Sequence, residues 1–229
     1  MGRDLLLIAH LLLLVSWLGI DVGVFYSSFV MRRPGLSTDT RKQVRHVMIT
    51  LDLAPRLSLI LMVPVALGLA HMTRFGFLRY DSGMMDALLW ALAAITVLWA
   101  VATAIVFFRR QVTPTASSVA AFDRFDWGAR AVVAAGFLGL GLWSLFGEGP
   151  LGPDWLSWKA TLFGLIVAAG LWIRVAARRY RPALMDLLEN GESPERLAAV
   201  NRTIRGVYPA VLSVWAGVVA MVIISVIRP

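Results

Sequence analysis

Apolar residues run almost unbroken through six segments of this chain, Leu5–Met31, Leu53–Met72, Met84–Phe108, Trp127–Phe146, Trp155–Ile173 and Val207–Ile227. Each run is roughly 19–27 residues long, and a helix needs about 20 predominantly apolar residues to cross a hydrocarbon core of about 30 Å. None is short enough to favour a buried helix of a water-soluble protein. The pattern predicts an all-α protein, a polytopic transmembrane bundle of six spans that forms a single domain over 1–229. The first run is longer than a signal-peptide core, and Ser27-Ser28 leads into Phe29-Val30-Met31 rather than a polar mature start, so it is expected to remain as a span. Leu6 stands where a myristoylation motif needs Ser or Thr.

The polar stretches carry signals of their own. Pro34-Gly35 ends the first span, and Ser37 to Asp39 offer caps for a helix through Arg41 and His46 into the second. The last basic loop reads as two short helices. One covers Pro182–Leu188 and stops at Asn190-Gly191; the other restarts at Ser193-Pro194-Glu195, with Ser at the cap and Pro at the first position. Gly136, Gly139 and Gly141, with Gly164 and Gly170, suit close helix approach. No internal repeat or inverted symmetry is visible.

Charge then orients the spans. The loops after the first, third and fifth spans, with Arg130 just beyond one of them, hold sixteen Lys and Arg; the opposite side holds only Arg3, Arg74, Arg79, Lys159 and Arg228. The asymmetry predicts basic loops in the cytoplasm and both termini outside it, in a bacterial-type inner membrane. A formal net charge of +8 so distributed fits anionic headgroups of the lipid bilayer and not nucleic acid. Composition agrees, with 59% hydrophobic and 16% charged residues against roughly 45–50% and about 25% in soluble domains. The absence of cysteine excludes disulfides, thiolate metal sites and cysteine nucleophiles.

Function must therefore be sought among the polar groups inside the spans. His10, His71 and Lys159 all fall near the outer boundary when depth is counted along each span. Two His at one level on neighbouring helices can hold a haem b between two imidazoles, with Arg74, Arg79 and Lys159 placed for its propionates. The plainer alternative is a pair of imidazoles reaching toward interfacial water. Helical phase puts His10, Trp17, Asp21 and Ser28 on one stripe, and Arg56 and His71 on one face of the second span. If those stripes face each other, Asp21 pairs with Arg56, since an unpaired charge there costs at least about 2.5–3.5 kcal/mol. Such a pair could lock the helices or relay a proton. Asp52 and Arg56 flank Pro55, and Pro64 follows in the same span; both prolines should break hydrogen bonds and open space beside the charges. Met62, Met72, Met84 and Met85 could suggest Cu(I), although Met is also an ordinary apolar filler. No zinc-protease helix, phosphate-cradling Gly loop or Ser/His/Asp set is present.

His10, Trp17, Gly19 and the pair Phe25-Tyr26 resemble the first helix of the HemJ-type membrane protoporphyrinogen oxidases and their CopD-like relatives. Trp155-x-x-Trp158-Lys159 before an apolar helix is similar to that family's Trp-x-x-Lys segment, and Asn201, Tyr208-Pro209 and the final Arg228-Pro229 match its ending loosely. The likeness covers about a third of the chain. Leu171-Trp172 replaces the family's Tyr-His, and Asp52-Leu53-Ala54-Pro55-Arg56 has no counterpart in the oxidase. The resemblance implies a haem b bundle acting on tetrapyrrole or electron traffic, with His10 and Lys159 as functional positions. Two expectations follow. One is a b-type haem redox protein, oxidase-like or a subunit of a homo- or hetero-oligomeric redox complex, with a quinone, tetrapyrrole or redox-protein partner. The alternative is a CopD-like transport or accessory protein in which Asp21, Asp52 and Arg56 line an ion or proton path.

Overall fold

The computed structural model describes residues 2–73, 83–113 and 115–228. These residues form α1 (Gly2–Val30), α2 (Thr38–Leu51), α3 (Leu53–Met72), α4 (Gly83–Val112), α5 (Ser117–Phe146), α6 (Asp154–Asn190), α7 (Pro194–Ile204) and α8 (Tyr208–Ile227), with no strand among them. Six stretches are long and apolar enough to cross a membrane: α1, α2 running into α3, α4, α5, α6, and α7 running into α8. The alternating spans gather the basic connections at one end of the bundle, called here the basic end.

Local chemistry explains the joints. Ser37 caps α2 by accepting the Thr40 amide at 3.1 Å, and Ser193 caps α7 by accepting the Arg196 amide at 3.2 Å, with Pro194 in the first turn. The break between α2 and α3 falls at Asp52, three residues before Pro55, whose ring cannot sit against the Leu51 carbonyl of an unbroken helix. Pro182 behaves differently. The expected separate helix over Pro182–Leu188 is instead the continuation of α6, which runs from Ile173 to Asn190, about 25 Å past the apolar span. An interior proline costs about 3 kcal/mol, and each fully buried Leu returns about 1.5–3 kcal/mol. Leu184, Leu187 and Leu188 are all buried beyond it, against Met31, Val200 and Ile204. Burial outweighs the lost bond, and Gly191 at φ 77° ends the helix.

Helix α3 packs between α1 and α4, and α6 packs between α5 and α8, while the consecutive helices α4 and α5 approach only sparsely along their backbones. The two trios meet through a core that includes Trp17, Leu59, Met62, Val63, Phe163, Ile166, Val167 and Val214. The tightest seam is α5 against α6. A Cβ on Gly141 would lie 2.6 Å from the Thr161 amide nitrogen, and one on Gly164 would lie 2.7 Å from the Leu138 nitrogen and 2.8 Å from the Ala134 oxygen. Gly136, Gly139 and Gly170 face open space instead. Backbone atoms cannot step aside, so Gly164→Ala should lose about 1–3 kcal/mol. Gly136→Ala should stay within about 0.5 kcal/mol of the parent. Thermal unfolding in detergent micelles reads the difference, and equal stability of the two variants would contradict the seam.

The register of α1 against the continuous α2–α3 stretch is fixed by three small-residue contacts, two with α3 and one with the last residue of α2. A Cβ on Gly2 would meet Met72 Cε at 3.2 Å, one on Gly68 would meet Leu6 Cδ1 at 3.3 Å, and one on Gly23 would meet Leu51 Cδ1 at 3.5 Å. Each step forward on α1 is thus a step back along α3, and His10 comes level with Pro64.

Candidate functional site

The polar groups inside the bundle form two clusters, one toward each end. At the end away from the basic loops lie His10, His71 and Lys159. The register places His71 level with Arg3 and about 10 Å along the axis from His10. Equal depth, inferred by counting from the ends of the apolar runs, fails because α3 runs to Met72, level with Gly2, so His71 lies beside the polar start of α1 while His10 lies two turns further in. The two imidazoles also have different company. His71 Nε2 lies 3.1 Å from Asp86 Oδ1 on α4, whereas His10 Nδ1 is buried without a hydrogen-bond partner. The pair therefore does not fit one bis-imidazole haem. His10 offers an unpaired buried ring nitrogen, in the electrostatic reach of Lys159. Lys159 Nζ stands 5.8 Å from the Trp155 ring centre, with the Arg228 guanidinium carbon at 5.6 Å. Arg74 and Arg79 lie outside the described residues. Among the described residues no group of three or more His, Cys, Asp or Glu converges as a metal site.

The second cluster occupies the half of the bundle nearest the basic end, and it is richer. Arg56 donates to Asp52, four residues before it at the α2–α3 joint, with Nε at 2.9 Å and a second contact from Nη2. Asp21 accepts from Trp215 Nε1 at 2.8 Å on α8. The anticipated Asp21–Arg56 bond is thus replaced by two separate ones. An i,i+4 acid already within reach satisfies Arg56, and the Asp21 face of α1 turns toward α8. Asp21, Asp52 and Arg56 still share one cleft of about 240 Å³ between the trios, lined also by Pro55 and Arg130. The proline-broken joint does leave space beside the charges.

Asp126 is the hub. It accepts Trp99 Nε1 at 2.8 Å, Arg130 Nε at 3.2 Å to both oxygens, and Arg174 Nη2 at 2.6 Å. Asp126 and Arg130 are both buried, at 3% and 6% exposure, so this is a charge cluster removed from water and tied to three helices, α4, α5 and α6. One Arg130 Nη2 remains without a partner. Sequence reading treated Arg130 as a boundary charge and passed over Asp126. The available signal was their i,i+4 spacing across the start of an apolar run, because a lone charge there would be costly.

Between α3, α4, α5 and α6 a larger cavity of about 590 Å³ opens from this cluster toward the basic end. Arg56, Arg110, Arg124, Arg174, Arg178 and Arg181 line it against Asp123 and Asp126, and Phe107, Phe122 and Trp127 supply apolar wall. Arg174, Arg178 and Arg181 follow an i, i+4, i+7 step, so one face of α6 carries all three. Asp123 pairs with Arg110. The arrangement can concentrate an anion and hold it through planar guanidinium forks. Asn201 and Tyr208, noted for their likeness to a family ending, have a bracing role here: both accept from Arg32 at the end of α1. Compared with family models, with curated proteins and with solved structures, the chain matches none.

Proposed function

We propose that this multi-pass membrane protein is a binding protein of the transport or accessory type, whose working part is the arginine-lined cavity. The observation that carries the reading is the charge of that wall, six arginines to two aspartates around about 590 Å³. Rings of Arg or Lys favour anions, whereas cation paths are lined by Asp or Glu. A proton or metal-ion route past Arg56 and Arg174 would run against the local field, so the cleft of Asp21, Asp52 and Arg56 suits a cation path less well than the adjoining arginine cavity suits an anion. The excess of Lys and Arg in alternate loops supports a cytoplasmic basic end with both termini outside, so the cavity would open to the cytoplasm. Tags placed after Pro229 and near Gly191 should then report opposite sides of the membrane. A C-terminal tag found in the cytoplasm would reverse the orientation.

Collisional quenching tests the cavity, because Trp127 lines it. Relative to a free neutral tryptophan amide under the same conditions, the iodide-to-caesium quenching ratio of the emission that is lost in Trp127→Phe should be raised several-fold. A ratio equal to that of the free amide would refute the reading.

The free His10 nitrogen beside Lys159 supports a second, narrower reading, a b-type haem held on His10 rather than between two imidazoles. It requires a haem Soret band in the purified protein that is lost in His10→Ala and kept in His71→Ala. Colourless protein from haem-replete cells would dismiss it.

A further inference from the structure

We infer that the arginine cavity binds a phosphate monoester with an apolar organic part, an inference that rests on the anion-site reading above and narrows it. Three features carry it. First, cationic capacity is in surplus: Arg56, Arg110 and Arg174 have acidic partners, whereas Arg124, Arg178 and Arg181 have none among the described residues. Their guanidinium groups at the mouth match the charge of about −1.5 to −2 on a monoester and its three acceptor oxygens. Second, the buried Arg130 lacks a partner at one Nη2, and it lines the adjoining cleft that shares Arg56 and Arg174 with the cavity. An unpaired donor this deep in a low-dielectric site calls for an acceptor. Third, the volume far exceeds a phosphate group, and Phe107, Phe122 and Trp127 offer the rest of it an apolar wall.

Asp123 supplies selectivity. Arg110 engages its Oδ1, and the second carboxylate oxygen can accept the proton of a P–OH. A monoester near its second pKa, about 6, carries that proton about half of the time. A sulfate ester never does, and its oxygen would face the carboxylate as anion against anion. The same headgroup chemistry could arrive from the cytoplasm as a soluble ester or laterally as a phosphatidic-acid-type lipid, past the sparse α4–α5 contact.

The test is calorimetric titration at pH 6 of the whole protein, in micelles, with phenyl phosphate and with phenyl sulfate. Phenyl phosphate should bind about tenfold or more tighter than the sulfate, and joint Arg178→Gln and Arg181→Gln replacement should weaken it about tenfold or more. Asp123→Asn should narrow the phosphate-to-sulfate ratio. Both mouth arginines are exposed, so their replacement leaves the fold intact. A second arm repeats the titration in nanodiscs of phosphatidylcholine carrying phosphatidic acid or phosphatidylglycerol. Blockade by phosphatidic acid alone identifies the bilayer as the source of the ligand; binding unaffected by either lipid identifies a soluble ester. Equal affinity for phosphate and sulfate would overturn the monoester inference while leaving the anion site standing. Affinity unchanged in the arginine double variant, or no binding of either ester by protein whose Trp127 still shows iodide-selective quenching, would overturn it as well. Loss of that selectivity too would remove the anion site with it.

Discussion

Asp126→Asn should be among the most destabilising single replacements in this protein, costing about 3–5 kcal/mol, the usual penalty for removing one partner of a buried charge pair. The asparagine keeps the shape and can still accept from Trp99, so the loss is electrostatic. Asp126 is 3% exposed and is the carboxylate bonded to both Arg130 and Arg174. Without its charge, two guanidinium groups face each other, with Arg56 on the same cleft wall. The control is Asp123→Asn, which removes the partner of Arg110 where the side chains are 49% and 35% exposed. Solvent screens that pair, and its loss should stay within about 1 kcal/mol. Thermal unfolding in micelles compares them. Adding Arg130→Met to Asp126→Asn should recover part of the loss, since the uncompensated cation is removed with its partner. Equal stability of the two asparagine variants would show that Asp126 is wetter than its contacts indicate.

The contrast between Asp126 and Asp21 marks how far the sequence can be read. Spans follow from one-dimensional apolar length, and the six runs correspond to the six stretches of the structure. Caps at Ser37 and Ser193 and the break before Pro55 were legible because each depends on residues within a turn of one another. Partners across helices were not, because they depend on how one helix slides and rotates against the next. A slip of about two turns between α1 and α3 separates His10 from His71, and nothing local in either run encodes that slip. It is set by where small residues admit large ones, as Gly68 admits Leu6 and Gly2 admits Met72. Rotation likewise decided that Asp21 meets Trp215 rather than Arg56. The cavity was beyond reach for a related reason. Arg174, Arg178 and Arg181 read as a topogenic basic loop until α6 is seen to continue through Pro182, which turns that loop into a wall.

Arg41 was counted with the same basic loops, yet replacing it should rival the Asp126 effect. Its side chain is 1% exposed and holds the basic end together. Nη1 donates to the Met31 carbonyl, and Nη2 donates to the Arg33 carbonyl at 3.0 Å and to the Glu192 carboxylate. Glu192 in turn accepts the Gly35 amide at 3.0 and 3.1 Å, where φ of 76° favours glycine. One guanidinium fork thus ties the α1–α2 turn to the α6–α7 turn, directly over a cluster in which Met31, Leu187 and Val200 are fully buried. Arg41→Met should cost about 3–5 kcal/mol by leaving two carbonyls and a carboxylate without their donor. Lysine keeps the charge but offers no planar fork for three acceptors, so Arg41→Lys should fall between methionine and the parent. Glu192→Gln should lose only about 1 kcal/mol, since its side chain is 31% exposed and water replaces the lost charge. Arg202→Met, an exposed basic residue on α7, serves as the control. Limited proteolysis near Gly191, applied from the basic side of the membrane, should accelerate sharply for Arg41→Met and stay at the parental rate for Arg202→Met. Indistinguishable cleavage of those two variants would mean that the α6–α7 turn is held by the apolar cluster alone, with the Arg41 fork contributing nothing that water cannot.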